Sequence, residues 1–222
     1  MTYDIFESFN DVRQQYGTGW QIVNVGTIGA GTIAQAVARH LVAADHRVVV
    51  SNSRGPATLN EVVSSLGPLA SAGTVAQAAR ADMVFLTVPW WNIQAALGGL
   101  PSWDGRILVD ATNQFAKADP LEVADLGEST GSEWVASLAP GARIIKAFNT
   151  LHARYIIPDP RHQAGRQVLF YAGDDAQAKA TFHQLFEELG FAPVDVGPLR
   201  DGGRLMQVGG GPLSALHVLR QD

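Results

Sequence analysis

A glycine-rich segment near residue 30 has the residue types needed to bind the phosphates of a dinucleotide. Gly29, Gly31 and Ala34 stand in the order G-x-G-x-x-A. The first glycine permits a tight turn, the second leaves room for a pyrophosphate beside the backbone, and the small alanine lets the next helix pack close to a sheet. The free N–H groups of that helix then face the phosphates. Alone the motif is weak evidence, because an ordinary strand–helix turn can have the same letters.

The residues around this loop provide the context that the motif requires. An apolar run, Ile22–Val25, precedes it, and a helical pattern over residues 32–44 follows it. A second apolar run at residues 46–51 stands where the next strand is expected. The sequence therefore predicts a dinucleotide-binding loop between a strand and a helix. Its candidate contact residues are Gly29, Ala30, Gly31, Thr32 and Ile33.

The end of the second predicted strand indicates which dinucleotide would bind. An NAD site usually has Asp or Glu at this point to accept hydrogen bonds from the ribose hydroxyls. Here Asn52, Ser53 and Arg54 follow the strand, and no carboxylate is present. A guanidinium attracts a 2′-phosphate and can bind it through two parallel hydrogen bonds. We therefore expect NADP. The alternative is that Arg54 is an ordinary surface arginine, solvated in a turn before Gly55.

Three later strand ends contribute further candidate site residues. In a doubly wound fold, ligands bind at the carboxyl ends of the strands, so these residues should meet at one cleft. They are Thr87, Val88, Pro89, Asn113, Ala147, Asn149 and Thr150. Asn113 and Asn149 suit a nicotinamide amide or a substrate carbonyl, but loop capping explains them equally well. Trp90 and Trp91 either stack on a ligand ring or are buried hydrophobic area.

Strands alternate with helices along the chain, which predicts an α/β fold with a doubly wound, parallel sheet of Rossmann type. Residues 1–19 form a predicted helical extension with an apolar face, and residues 20–150 form the NADP-binding domain. Residues 151–222 are predicted to form a small α/β extension, which would complete the pocket for the molecule that exchanges hydride with NADP. The extension is predicted to contain a strand at 167–172, a helix at 175–189, a strand at 192–196 and a final short helix after Pro212.

Composition narrows the classes of function. The 222 residues are 46% hydrophobic and 17% charged, which is enough apolar material for a sizeable core. The net charge of −5 gives no reason to expect nucleic acid or a membrane as a partner. The absence of cysteine excludes disulfides and thiolate catalysis and agrees with a cytoplasmic location. The six histidines form no pair at metal-ligand spacing, so we expect no metal.

No catalytic acid or base stands out, and Lys146 is the best candidate for a proton donor. This is compatible with hydride transfer between two redox cofactors, which depends on proximity and orientation more than on acid–base groups.

Seven segments together resemble the coenzyme F420-dependent NADP oxidoreductase family over about residues 20–207. They are the glycine loop, Asn52–Pro56, Thr87–Trp90, Asp110–Asn113, Lys146–Thr150, Ala172–Asp175 and Val194–Leu199. The resemblance implies hydride transfer between NADPH and deazaflavin F420. It also implies that Ala30–Ile33 contact the NADP phosphates and that Ser53 and Arg54 hold the 2′-phosphate. Val88 and Pro89 would then lie under the nicotinamide ribose, and Asn149–Leu151 would border the deazaflavin. The loop Arg200–Gly203 looks longer than expected for the family.

These observations predict an NADP(H)-dependent oxidoreductase with a small-molecule acceptor, either a flavin or a deazaflavin. Two alternatives remain open at this point: an NADPH-dependent reductase of a small carbonyl or imine, and a non-catalytic NADP-binding redox sensor. We further expect a homodimer, because the apolar face of Ile5, Phe9, Val12 and Tyr16 and the segment 209–219 exceed what a small domain readily covers.

Overall fold

The computed structural model describes residues 23–221. The helix predicted for residues 1–19, with its apolar face, lies outside this range. The first part of the described chain alternates strands and helices: β1 (Asn24–Ile28), α1 (Thr32–Ala43), β2 (Arg47–Ser51), α2 (Asn60–Leu66), β3 (Ala70–Gly73), α3 (Val75–Ala78), β4 (Met83–Leu86), α4 (Ile93–Leu97) and β5 (Ile107–Asp110). Short 3-10 turns at Pro56–Leu59 and Trp90–Asn92 precede α2 and α4.

The second part of the chain is less regular. Its elements are β6 (Phe115–Ala118), β7 (Leu121–Val123), α5 (Gly131–Leu138), β8 (Arg143–Ala147), α6 (Ala153–Ile156), β9 (Arg161–His162), β10 (Gly165–Gly173), α7 (Ala176–Glu188), β11 (Ala192–Asp195), α8 (Asp201–Met206) and β12 (Leu219–Arg220). The β6–β7 hairpin forms a separate two-stranded sheet.

The central sheet has the strand order β11-β10-β8-β5-β4-β1-β2-β3. The six adjacent strands β8-β5-β4-β1-β2-β3 of this sheet are parallel to one another, as predicted, and they have the Rossmann order. The predicted parallel sheet has one exception at β10, which runs antiparallel to β8. The only helix between residues 147 and 165, which connect these strands, is the four-residue α6, and it is too short to cover the sheet as a parallel crossover would. The sheet therefore continues beyond residue 150 through this antiparallel pair.

Hydrophobic side chains cover both faces of the central strands, as in other parallel sheets. Along β4, Met83 and Phe85 belong to one cluster, whereas Val84 and Leu86 belong to the other. The first cluster includes a group of aromatic rings centred on Phe148, whose ring lies 5.1 Å from that of Phe186. These two layers fix the strands, so the positions of the strand ends are set by the core.

The C-terminal part corrects two further predictions. The final helix expected after Pro212 does not form, and turns lead instead to β12, which pairs with β10. The longer loop expected at residues 200–203 is the start of helix α8. Gly202 permits this helix, because an added Cβ would lie 2.8 Å from the Cβ of Ala172. The leucine spacing after residue 212 suggested a helix, but the chain turns at Ala215, where φ is +58°.

Side chains cap the first turns of two helices. Asp175 caps α7, its carboxylate accepting a hydrogen bond from the N–H of Ala178 at 2.7 Å. Thr130 caps α5, with a reciprocal capping box that involves Glu133. Ser132 is thereby free to hydrogen-bond elsewhere.

The buried side chain of His40 makes the stability of this fold pH-dependent. Its Nε2 lies 2.6 Å from the carbonyl oxygen of Ile156, and burial lowers the pKa of the imidazole below its usual value. The folded state therefore favours neutral His40, and its contribution to stability should be lost as the pH falls below about 6.5, the unfolded value.

Urea unfolding of wild type and of His40→Gln at about pH 7.5 and about pH 5.5 tests this contribution. The difference in unfolding free energy between the two proteins should shrink at the lower pH. The exposed His162, changed to Gln, is the control and should show no such shift. A constant difference between wild type and His40→Gln would contradict the assignment.

Candidate functional site

The glycine loop turns sharply between β1 and α1, and its first glycine is required by geometry. Gly29 has φ +111°, and its N–H donates to the carbonyl of Ser51 at 3.1 Å. A Cβ at this position would lie 2.6 Å from Thr87 Oγ1 and 2.8 Å from its carbonyl oxygen. Thr87 in turn donates from its N–H and its hydroxyl to the carbonyl of Ile28. The loop is thus held against the end of β4.

The second glycine of the loop leaves open space where a phosphate would have to approach. Gly31 is the N-cap of α1, and no side chain caps this helix end. A Cβ on Gly31 would meet no described atom within 4 Å. Gln35 holds the loop from behind, because its side-chain amide donates to the carbonyl of Ala30 at 2.9 Å. Thr32 and the half-buried Ile33 follow at the open end, so the positive end of the helix dipole is available to an anion.

The turn after β2 presents a positive side chain beside this loop. Ser53 and Arg54 are exposed. Asn52 shapes the turn, because its side-chain oxygen accepts the N–H of Arg54 at 2.9 Å and its amide donates to Thr58 at 3.0 Å. The sheet pairs Ile28, at the end of β1, with Ser51, at the end of β2. Arg54 therefore follows the strand adjacent to β1, which leads into the uncapped start of α1.

The segment after β4 has one buried and one exposed tryptophan. Trp90 is buried and packs on Trp134, with ring centroids 4.5 Å apart, so it is part of the core. Trp91 is 49% exposed. Val88 is half-buried and Pro89 is exposed just before them. Of the two tryptophans, Trp91 is therefore the one whose ring is accessible to a ligand.

Two asparagines from neighbouring strand ends are bonded to each other. The side-chain amide of Asn113 donates to the carbonyl of Asn149 at 3.0 Å, and that of Asn149 donates to the side-chain oxygen of Asn113 at 3.2 Å. Asn149 also donates to the carbonyl of Met206 at 2.8 Å. Its own Oδ1 is buried without a hydrogen-bond partner among the described residues. This oxygen is therefore an acceptor that the pair leaves unsatisfied.

The other two candidates at the end of β8 are buried. Ala147 has no exposed surface and belongs to the hydrophobic core. Thr150 is also buried, and its hydroxyl has no hydrogen-bond partner in the described part of the chain. Phe148, between Ala147 and Asn149, has φ +66°, a strained backbone for a bulky residue. The packing of its ring in the aromatic core holds this conformation and turns the chain towards Asn113.

A buried charge pair at the ends of β5 and β8 was not recognised from the sequence. Lys146 Nζ lies 3.0 Å from Asp110 Oδ2, and the two side chains are 6% and 0% exposed. The same carboxylate oxygen accepts the hydroxyl of Ser132 at 2.6 Å. Thr112 donates to Asp110 Oδ1 from both its N–H and its hydroxyl. We call these four residues the strand-end network. The only sequence signal was a charge at the end of each of two apolar strands.

The predicted site residues therefore lie at one edge of the sheet. They follow β1, β2, β4, β5 and β8, which are adjacent in the order β8-β5-β4-β1-β2. The structure brings the glycine loop into contact with Thr87, and Asn113 into contact with Asn149. The strand order reverses beside β1, which is the point where open α/β sheets bind their ligands. The fold and the site define a protein of the dinucleotide-binding Rossmann class.

Comparisons with known proteins place the chain within this class. Residues 24–114 match the family described as NADP oxidoreductase, coenzyme F420-dependent. A hypothetical protein from Sinorhizobium meliloti has 37% sequence identity and a TM-score of 0.84, covering 96% of this chain and 100% of its own. A proposed F420-dependent NADP reductase from Arthrobacter sp. FB24 has 25% identity and a TM-score of 0.71, covering 82% of this chain and 89% of its own. Residues 24–114 therefore carry the sequence signature of the coenzyme F420-dependent NADP oxidoreductase family, a family of NADP-dependent oxidoreductases.

A rat protein, metalloreductase STEAP3, is also related. It is 31% identical over 176 residues, which cover 79% of this chain. The chain spans only about a third of that protein's length, since 34% of it is matched. In the part of the chain that the structure describes, no helix is long and apolar enough to cross a membrane. Within residues 23–221, no three His, Asp or Glu side chains are placed to hold a metal ion.

Proposed function

We propose that this protein binds NADP(H) along the carboxyl edge of its sheet and transfers hydride between the nicotinamide and a flat acceptor, a flavin or deazaflavin F420. The observation that carries the proposal is the uncapped start of α1 at Gly31, with open space above it and Arg54 on the next strand end. Bound NADPH supplies the hydride, and the residues at the edge of the sheet bind and orient it.

Two groups of residues would bind the two halves of the proposed cofactor. The pyrophosphate would bind to Ala30–Ile33. The 2′-phosphate would bind to Ser53 and Arg54, at a strand end that has no carboxylate to repel it. The nicotinamide half would extend over β4 and β5 towards Val88 and Pro89. The unpartnered oxygen of Asn149 can accept a hydrogen bond from a carboxamide there.

The acceptor would lie at the β8 side of the cleft, where residues 151–222 complete the wall. Asn149 is bonded to Met206 at the end of α8, so the C-terminal part reaches the site directly. The exposed ring of Trp91 supports a flat acceptor, because aromatic side chains stack on such rings. The F420 assignment rests on the family, and the metalloreductase relative supports a redox role in general.

An assay of NADPH oxidation with F420, FMN, FAD, a quinone and a small imine as acceptors tests the proposal. We expect turnover with F420 or a flavin and none with the imine. Turnover with the imine alone would instead support a carbonyl or imine reductase. If the protein binds NADPH but none of these acceptors supports its oxidation, the result would support the non-catalytic redox sensor.

We also propose a cytoplasmic homodimer. Leu121, Val123, Leu205 and Leu216 are large apolar side chains that remain at least 39% exposed in the described chain. Val123 packs near Gly209, so this apolar surface extends from the β6–β7 hairpin to the C-terminal segment. Sedimentation at micromolar concentration should show a dimer that Leu121→Asp and Leu205→Asp together convert to a monomer. A wild-type monomer would contradict the proposal and leave NADP binding unaffected.

A further inference from the structure

The segment that follows β2 is anchored at both ends. At its start, the hydroxyl of Ser51 donates to the carbonyl of Thr27 at 2.6 Å, and the carbonyl of Ser51 accepts the N–H of Gly29 at 3.1 Å. At its end, Leu59 is 1% exposed and belongs to the hydrophobic core. Residues 52–58 therefore form a short connection between two fixed points, and its start is bonded to the glycine loop.

Two side chains of this segment bond to each other and to its main chain. The side-chain amide of Asn52 donates to Thr58 Oγ1 at 3.0 Å, and its side-chain oxygen accepts the N–H of Arg54 at 2.9 Å. The hydroxyl of Thr58 donates to the carbonyl of Gly55 at 2.8 Å. We call Asn52 and Thr58 the turn brace. The brace spans Gly55, whose φ of +90° is a conformation that glycine adopts readily.

The two polar side chains inside the turn brace are available to a ligand. Ser53 and Arg54 are exposed, and neither side chain makes a hydrogen bond or an ion pair within residues 23–221. The exposed Lys117, by contrast, pairs with Glu122 at 2.6 Å. The segment therefore has two polar side chains that fix its backbone and two others that remain open to solvent.

A braced backbone matters for an arginine that is to bind phosphate. The guanidinium can bind two phosphate oxygens in parallel, but its long side chain has to be ordered first. The turn brace already holds the N–H of Arg54, and this sets the direction in which the side chain leaves the backbone. Ordering the main chain before the ligand arrives removes part of the cost of binding.

We propose that Thr58 is a positioning residue for the 2′-phosphate and helps to set the preference for NADPH over NADH. Thr58 acts through Asn52, which holds the backbone of Arg54. The inference rests on the proposed function, because it requires the adenosine half of NADP(H) to bind at this edge of the sheet. Thr58 was not among the candidate residues predicted from the sequence, and its role follows from side-chain contacts.

Replacing Thr58 by valine removes the hydroxyl and keeps the shape of the side chain. The fold should survive, because Thr58 is exposed. Loss of the turn brace should weaken NADPH binding about 3- to 10-fold, the size expected for one or two net hydrogen bonds. NADH affinity should stay the same, because NADH has no 2′-phosphate. Thr58→Ser keeps the hydroxyl and should restore NADPH affinity.

Titration with 2′,5′-ADP and with ADP separates the 2′-phosphate from the rest of the nucleotide. Thr58→Val should weaken binding of the first and leave binding of the second unchanged. Thr181→Val is the matched control, because the Thr181 hydroxyl donates to the carbonyl of Gln177 at 3.0 Å on α7, outside the proposed phosphate site. This control should bind both ligands as wild type does. Thermal unfolding checks that each variant is folded.

A double-mutant cycle tests whether Thr58 acts through Arg54. If the turn brace works by holding Arg54, Thr58→Val should have little further effect on NADPH affinity in a protein that already has Arg54→Ala. An undiminished loss in that background would overturn the positioning role. Failure of Thr58→Ser to restore affinity would overturn it as well, because the hydroxyl is the group that makes the bonds.

The outcomes separate this inference from the proposed function. A wild-type preference for NADPH that is unchanged in Thr58→Val would overturn the inference and leave the NADP site in place. Equal losses of NADPH and NADH affinity in Thr58→Val would show a general loosening of the site and would also overturn the inference. A wild-type protein that binds neither nucleotide, or binds both equally, would overturn the proposed NADP site and the inference together.

Discussion

Replacing Gly31 by valine should abolish measurable NADPH binding while the protein stays folded. The open space beside Gly31 is where the pyrophosphate must approach the first turn of α1. A branched side chain would occupy this space and cover the N–H groups. We expect a loss of at least about 100-fold in affinity, or roughly 2.7 kcal/mol. The fold should survive because the added atoms meet no described neighbour within 4 Å.

Fluorescence titration with NADPH measures the effect, and thermal unfolding checks the fold. Gly210→Val is the matched control, because a Cβ on Gly210 likewise meets nothing within 4 Å, and Gly210 lies outside the proposed phosphate site. Gly29→Val should differ from both by losing stability, since its Cβ would collide with the backbone of Thr87. Unchanged NADPH affinity in a folded Gly31→Val protein would remove the loop from the site.

Replacing Arg54 by alanine should remove most of the preference for NADPH over NADH. Arg54 is exposed at the end of β2, and residues 51–60 contain no carboxylate to bind the ribose hydroxyls of NADH. The loss of a charge-assisted contact with the 2′-phosphate should weaken NADPH binding about 10- to 100-fold, or roughly 1.5–3 kcal/mol. NADH affinity should stay the same, because NADH has no phosphate at this position.

Titration of each variant with both nucleotides measures this preference. Arg80→Ala is the control, because Arg80 is exposed and follows α3 at the other end of the sheet, before β4 begins. Salt should weaken NADPH binding to wild type more than to Arg54→Ala, since screening acts on the contact that the variant lacks. Equal losses in the Arg54 and Arg80 variants would show a general charge effect and contradict a specific phosphate contact.

The parallel part of the fold could be predicted because its signals are local. Each central strand is a short apolar run, and β1 and β2 lie where the apolar runs on either side of the glycine loop and its helix predict strands. The carboxyl ends of such strands must meet at one edge. This rule predicted that the strand ends would meet at one cleft, and in the structure Gly29 lies against Thr87 and Asn113 is bonded to Asn149.

The C-terminal part could not be predicted in the same way, because its structure depends on distant partners. The direction of β10 is seen only in its pairing with β8, and β12 is defined by the pairing of Leu219 and Arg220 with β10. Helix α8 contains two glycines, which are poor helix formers, and it is stabilised by close packing of Gly202 and Gly203 against other segments. The helix predicted after Pro212, from leucines spaced every three residues, does not form.

The strand-end network shows the same limit at the site. Asp110 and Lys146 are 36 residues apart, and neither has a local motif that indicates its partner. The sequence singles out Lys146 as the best candidate for a proton donor, and only the buried geometry shows the carboxylate beside it. Polar contacts of this kind follow from the sheet order, which must be known first.

The measurement that tests the central claim most directly is a parallel titration of the wild-type protein with NADPH and NADH. The account predicts one site per chain that binds NADPH at least about 10-fold more tightly than NADH. That preference would arise from the 2′-phosphate alone, and it should fall with increasing salt. Equal affinity for the two nucleotides, or no binding of either, would contradict the claim that this edge of the sheet is an NADP site.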